Sequence, residues 1–156
     1  MSLTPEQISR GIEIITSLNS VLAINSGGCL YAVYGTYLKL KQEGVESDEI
    51  VIVQKASPHC ITADHYLKQN AAFLQGESSV ADSGYHFVIS FDGGKTLYDS
   101  EGRHPTGEGD LVIPNEKLDT FCPNSLRNGG WNWMFDRDSD LETVNEILNL
   151  ELVDYY

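Results

Sequence analysis

Apolar residues recur at helical spacing near the start of the chain, where Ile8, Ile12 and Ile15 share one face and Leu18 continues it. Thr4 stands where an N-cap belongs, Pro5 suits the first helical position, and Gln7 completes a capping box. A first helix is therefore predicted from near Thr4, ended or frayed at Asn19-Ser20. Asn25-Ser26-Gly27-Gly28 reads as a loop, and Cys29 opens a second helical pattern with Leu30, Val33, Tyr34, Tyr37 and Leu38 on one face. Tyr31 and Ala32 fill the other side, so its first two turns are apolar nearly all round, the mark of a central, buried helix. The pattern turns polar at Lys39, Lys41, Gln42 and Glu43, and Gly44 supplies a C-cap.

The period then changes. Ile50-Val51-Ile52-Val53 is a β-branched run that predicts a buried strand. A third helix is predicted from Thr62 to about Leu74. Gly84 to Phe91 and Lys95 to Asp99 read as two strands joined at Asp92-Gly93-Gly94, a strong hairpin signal. Leu111-Val112-Ile113 adds a short strand before Pro114. A last helix is predicted from Ser139, with Glu142 completing a capping box and Leu141, Val144, Ile147 and Leu148 on one face. Helices packed on an antiparallel sheet make an α+β domain, and the 156 residues fit one such domain, 1–156, with no repeat or linker in them.

Composition narrows the function classes. Hydrophobic residues make up 41% and charged residues 21% of the chain, a globular balance. The formal charge of −13 repels a phosphate backbone and argues against nucleic-acid binding. It serves solubility, or it draws in a basic protein or peptide substrate. No apolar run reaches the roughly 18 residues of a membrane span, and the N-terminus lacks the basic and apolar regions of a signal peptide. Three cysteines, Cys29, Cys60 and Cys122, without such a signal read as reduced thiols in a cytoplasmic setting.

Cys29 carries the chemistry. A helix N-terminus stabilises a thiolate through its unpaired N–H groups and dipole. Gly27 and Gly28 clear the approach to the sulfur, and the same N–H groups can hold an oxyanion, with Asn25 as a side-chain donor. Most free cysteines are buried small hydrophobes, so the thiol alone does not decide the matter. The hairpin adds a base and its orienting acid. With a turn at Gly93-Gly94, Val88 faces Asp99 and His86 faces Glu101, which puts His86 and Asp99 on one face as diagonal neighbours. Glu101, directly opposite His86, is the alternative acid.

Gly28-Cys29-Leu30-Tyr31-Ala32-Val33-Tyr34, continued through Leu38 and Leu40 to Gly44-Val45 and Ile50-Val51-Ile52-Val53, resembles the nucleophile segment of transglutaminase-like proteins. Tyr85-His86-Phe87-Val88-Ile89, Gly93-Gly94 and Leu97-Tyr98-Asp99 resemble the family's His and Asp strands. The resemblance spans about Gly27 to Glu101. It implies a papain-like α+β fold, in which a central N-terminal helix carrying the cysteine packs on an antiparallel sheet carrying the histidine and aspartate. Cys29 is then nucleophile, His86 general base and acid, and Asp99 orienter, with no cofactor. The activity implied is cysteine-dependent acyl transfer through a Cys29 thioester, read first as a peptidase or amidase. Transfer to an amine, of transglutaminase or arylamine acetyltransferase type, is an alternative; so is an inactive papain-like domain that binds a protein partner.

Other signals carry less. Pro58-His59-Cys60, Asp64 and His65 contain ligand types without zinc spacing, and Asp136, Asp138 and Asp140 lack the Gly and terminal Glu of a calcium loop. No metal site is expected from either. Trp131 and Trp133, on a Gly129-Gly130 hinge, either wall a substrate groove or close the core. His104 and Cys122 have no visible partner in the sequence and read as structural.

Overall fold

The computed structural model describes residues 2–21, 24, 29–56, 84–107, 109–113 and 138–149, with the backbone alone at 56, 84, 85 and 138–141. The expected helix from Thr62, the Gly27-Gly28 step, Asn25, Cys60, Cys122, Trp131 and Trp133, and the ligand-like residues at 58–65 and 136, lie outside the described residues.

Helix α1 (Pro5–Ser17) starts as its sequence dictates. The Thr4 side chain accepts from the Gln7 N–H at 3.2 Å, and the Gln7 side chain accepts from the Thr4 N–H at 2.9 Å. Two otherwise orphaned donors are satisfied reciprocally. The helix passes into a single 3₁₀ turn, Leu18–Ser20. Its buried face centres on Gly11, Ile14, Ile15 and Leu18, while Ile8 and Ile12 flank it and are only partly buried. Gly11 is there because the buried Phe91 ring lies against the helix: a Cβ at position 11 would come within 2.5 Å of two ring carbons. Gly11→Ala gains about 1 kcal/mol in helix propensity. It forces the ring to move, an overpacking cost of about 1–3 kcal/mol. A net loss of stability is expected, and an unchanged or raised urea midpoint would show that the ring yields freely.

Helix α2 (Cys29–Gln42) begins at the cysteine and is buried over Tyr31–Thr36, again at Leu40, and at Lys39. Of the expected face, Val33 and Tyr34 are buried, while Leu30, Tyr37 and Leu38 pack partly buried against the core, and Tyr31, Ala32 and Thr36 are buried beside them. Such a helix touches neighbours all round, so periodicity does not single out one face. Thr36, fully buried, donates its hydroxyl to the Ala32 carbonyl at 2.8 Å. The helix ends in a Schellman motif: Gly44, at φ 84°, donates to Lys41 O at 3.0 Å and Val45 to Leu40 O at 2.9 Å.

The sheet is antiparallel, in the order β4-β3-β2-β1-β5. Its strands are β1 (Val51–Ala56), β2 (Gly84–Ser90), β3 (Leu97–Asp99), β4 (Gly102–His104) and β5 (Leu111–Ile113). Strand β1 lies between β2 and β5 and is buried through Val53, as its unbroken β-branched run requires, and burial continues through Gln54 and Lys55. Ile52, Ile89 and Ile113 join the helices in the main core, while Val51, Val53, Val88 and Leu97 form a second cluster. Helix α3 (Asp138–Leu148) buries Val144 and Leu148 in the main core and packs Ile147 against it. It starts one position before Ser139, which therefore falls in the first turn instead of capping it. The described residues form an α+β arrangement of three helices and a five-stranded antiparallel sheet. No described helix is long and apolar enough to cross a membrane.

Candidate active site

The β2–β3 hairpin determines which side chains can meet. Ile89 pairs with Tyr98, so continuing the ladder sets Val88 opposite Asp99, the register expected from the Gly93-Gly94 turn. Gly93 and Gly94 take φ of 76° and 105°, which glycine adopts without steric cost. The turn is also tied by side chains: Ser90 Oγ accepts from Gly94 N–H at 2.9 Å, and Asp92 Oδ1 from Thr96 N–H at 2.8 Å.

In that register the His86 and Asp99 side chains meet, Nε2 to Oδ2 at 3.1 Å. Asp99 Oδ1 accepts from the Glu101 N–H at 2.9 Å, so both carboxylate oxygens are engaged. Glu101 therefore serves the site through its backbone, and its exposed side chain is not the acid beside His86. A buried Ser100 ties the end of β3 to the 3₁₀ turn after α1 through Asn19, Oγ to Oδ1 at 3.4 Å.

Beside His86 the β1–β2 pairing slips. Lys55 pairs with His86 but Ala56 pairs with Gly84, so β2 carries Tyr85 as an extra residue. A bulge of this kind re-aims the side chain next to it. His86 meets Cys29, the first residue of α2, across a narrow cleft lined also by Ile15, Ile24, Ala32, Val33 and Phe87. With Nε2 on Asp99, Nδ1 is the imidazole nitrogen left for the sulfur.

Cys29 is a free, half-buried thiol. Burial pushes it up, but the hydrogen bond and charge of His86, with the backbone N–H groups of Phe87 and Leu30, outweigh that. The thiol therefore titrates below its ordinary range. His86 moves the other way: the hydrogen bond with Cys29 raises it, burial lowers it, and the hydrogen bond and charge of Asp99 raise it again. Both shifts favour a thiolate–imidazolium pair. The His86 side chain is 23% exposed and that of Asp99 14%, so solvent reaches the pair but only partly screens it.

His104 lies beside this cluster and has in His86 a ring partner that the sequence did not show. Its ring centroid lies 5.2 Å from that of His86. Strand β4 brings it there: Asp99 pairs with Gly102 and Leu97 with His104 around a two-residue turn at Ser100-Glu101. Gly102, at φ 111°, allows the reversal. A glycine three residues beyond the end of a strand is a turn signal, and it was the one feature of the sequence able to reveal His104. Lys55 holds the next loop, with its buried ammonium 2.7 Å from Asp110 Oδ1 and donating to Pro105 O at 2.9 Å.

Comparison with protein-family models, with curated proteins and with solved structures finds no match to this chain.

Proposed function

We propose that this protein is a cysteine-dependent acyl-transfer enzyme of papain-like type that hydrolyses an amide bond through a thioester on Cys29. The observation that carries the reading is one contact chain. A thiol at a helix N-terminus meets an imidazole whose far nitrogen rests on a carboxylate. Nucleophile, base and orienter in that relation are what covalent acyl transfer needs. The order in the chain, cysteine on a helix and then histidine and aspartate on antiparallel strands, supports the papain-like reading.

The Cys29 thiolate attacks the acyl carbon, forming a carbon–sulfur bond as the carbonyl electrons move to oxygen. Backbone N–H groups at the start of α2, among them that of Cys29, hold the oxyanion; Asn25 is the proposed side-chain donor. His86, as imidazolium, gives its Nδ1 proton to the leaving nitrogen when the carbon–nitrogen bond breaks. Neutral His86 then takes a proton from water, which attacks the thioester and releases the acid. Asp99 keeps the other imidazole proton on Nε2 throughout. Hydrolysis is preferred to amine transfer because nothing in the sequence marks a site for an amine acceptor. The substrate proposed is a protein or peptide, a basic one suiting the charge of −13. A nucleophilic thiol must stay reduced, which suits a cytoplasmic setting.

p-Nitrophenyl acetate tests the chemistry before the substrate is known. Nitrophenol is expected to appear in a burst of one equivalent per chain, with the acetyl group mapped to the Cys29 peptide. Cys29→Ser is expected to abolish the burst. Acetylation spread over all three cysteines, or none at all, would overturn the enzyme reading in favour of a binding domain. Deacetylation by glycylglycine in preference to water would move the reading to amine transfer.

A further inference from the structure

We propose that His86, Asp99 and His104 form a site for a divalent first-row transition cation, zinc foremost, whose binding switches the thiol site off. One ligand atom from each of the three side chains lies within 4.8 Å of the others. Donors around a tetrahedral zinc at bonds of about 2.0–2.1 Å must approach somewhat closer than that. Side-chain rotation can close the gap, because the three residues sit on the adjacent strands β2, β3 and β4.

The hydrogen bonds already present prepare the ligands. His104 Nδ1 lies 3.0 Å from the Pro105 carbonyl oxygen. A carbonyl can only accept, so His104 carries its proton on Nδ1 and presents a lone pair at Nε2. Metal-binding histidines are commonly held in this way, by a backbone carbonyl on the other nitrogen. Lys55 donates to the same carbonyl and is paired with Asp110, which fixes the loop that orients His104. Asp99 is held by the Glu101 N–H on Oδ1, leaving Oδ2 to face the cluster. Two imidazoles and one carboxylate, with positions left for water, make an open three-ligand set that prefers transition cations to magnesium or calcium. The overall charge of −13 attracts any cation.

The consequence for the thiol rests on the proposed function; the binding does not. A metal at His86 Nε2 replaces the proton there, which leaves to solvent, and takes Asp99 Oδ2 from its hydrogen bond. The metallated imidazole is neutral with its remaining proton on Nδ1. It can then donate to the Cys29 sulfur but can no longer accept and return a proton, so acyl transfer stops.

Zinc titration of the chelator-stripped full chain by calorimetry, with cobalt(II) absorption as the second readout, tests the site. One Zn²⁺ per chain is expected to bind at roughly micromolar Kd or tighter. His104→Ala and His104→Gln should each weaken it at least about tenfold, and Cys29→Ser by less than about threefold. The cobalt complex should show tetrahedral ligand-field bands without a thiolate charge-transfer band. Zinc should also stop acetylation of Cys29 in the native chain. Circular dichroism checks that both His104 variants fold. Zinc binding lost in Cys29→Ser but kept in both His104 variants, a cobalt–thiolate band, no binding below about 100 µM, or equal binding of Mg²⁺, each overturns the proposal. A chain that binds zinc as described but shows no acetyl burst keeps this site and loses the enzyme reading; a chain with the burst and no zinc binding does the reverse.

Discussion

In His86→Ala, Cys29 loses its reactivity at low pH. In the native chain the thiol is pushed up by burial and brought below its ordinary range by His86 and two backbone N–H groups. Alanine removes the hydrogen bond and the charge of His86 and leaves the burial. The thiol pKa then rises, and below it each unit of rise costs about tenfold in thiolate. Alkylation by iodoacetamide, followed peptide by peptide in the presence of EDTA, measures that fraction. Native Cys29 should react with a midpoint below the ordinary thiol range and outpace Cys60 and Cys122 at pH 6. The variant midpoint should lie higher, with the pH 6 rate down at least about tenfold. The sign follows from the pair: a depressed thiol stays ionised as pH falls until its own lowered pKa, and the raised His86 stays protonated as pH rises until its own. Lowering the thiol and raising His86 both favour the thiolate–imidazolium pair, and removing His86 shifts ionisation of the thiol to higher pH. Equal rates in the two proteins at pH 6 would mean that His86 does not activate the sulfur.

Asp99→Asn should stop acyl transfer although the two side chains have nearly the same shape. Both Asp99 oxygens accept, one from the Glu101 N–H and one from His86 Nε2. An asparagine has one oxygen and one NH₂, so it cannot serve two donors. With its oxygen on Glu101, its NH₂ faces His86 and requires a lone pair at Nε2. The imidazole proton then sits on Nδ1, the nitrogen that should receive the proton of the thiol. A fall of roughly 10²- to 10⁴-fold in the acetylation rate of Cys29 is expected. Nitrogen NMR of the His86 ring should show Nε2 protonated in the native chain and bare in the variant. A rate within about threefold of native, with the tautomer unchanged, would reduce Asp99 to packing.

These outcomes bear on how the site is built. Local chemistry announced the capping box at Thr4 and Gln7, the glycine stop at Gly44, the buried run from Ile50 and the tight turn at Gly93-Gly94. Each depends on a few neighbouring residues whose backbone and side-chain preferences agree. The hairpin register followed, and because side chains alternate with a period of two, it carried His86 and Asp99 to one place. Which residues of the expected α2 face lie deepest was not legible, since a helix apolar all round is oriented by what packs on it.

Sequence alone thus determined a thiol at the head of an apolar helix, and a histidine and an aspartate in register on a hairpin, because cap, turn and strand signals are short-ranged. Tertiary structure decided the rest. It set His86 against Cys29 through a bulge opposite Lys55. It gave the His86 contact to Asp99 and only a backbone role to Glu101. It also brought His104 to the same cluster through a third strand of three residues. A strand that short has too little periodic signal to announce itself; the pairing that places it is a property of its neighbours.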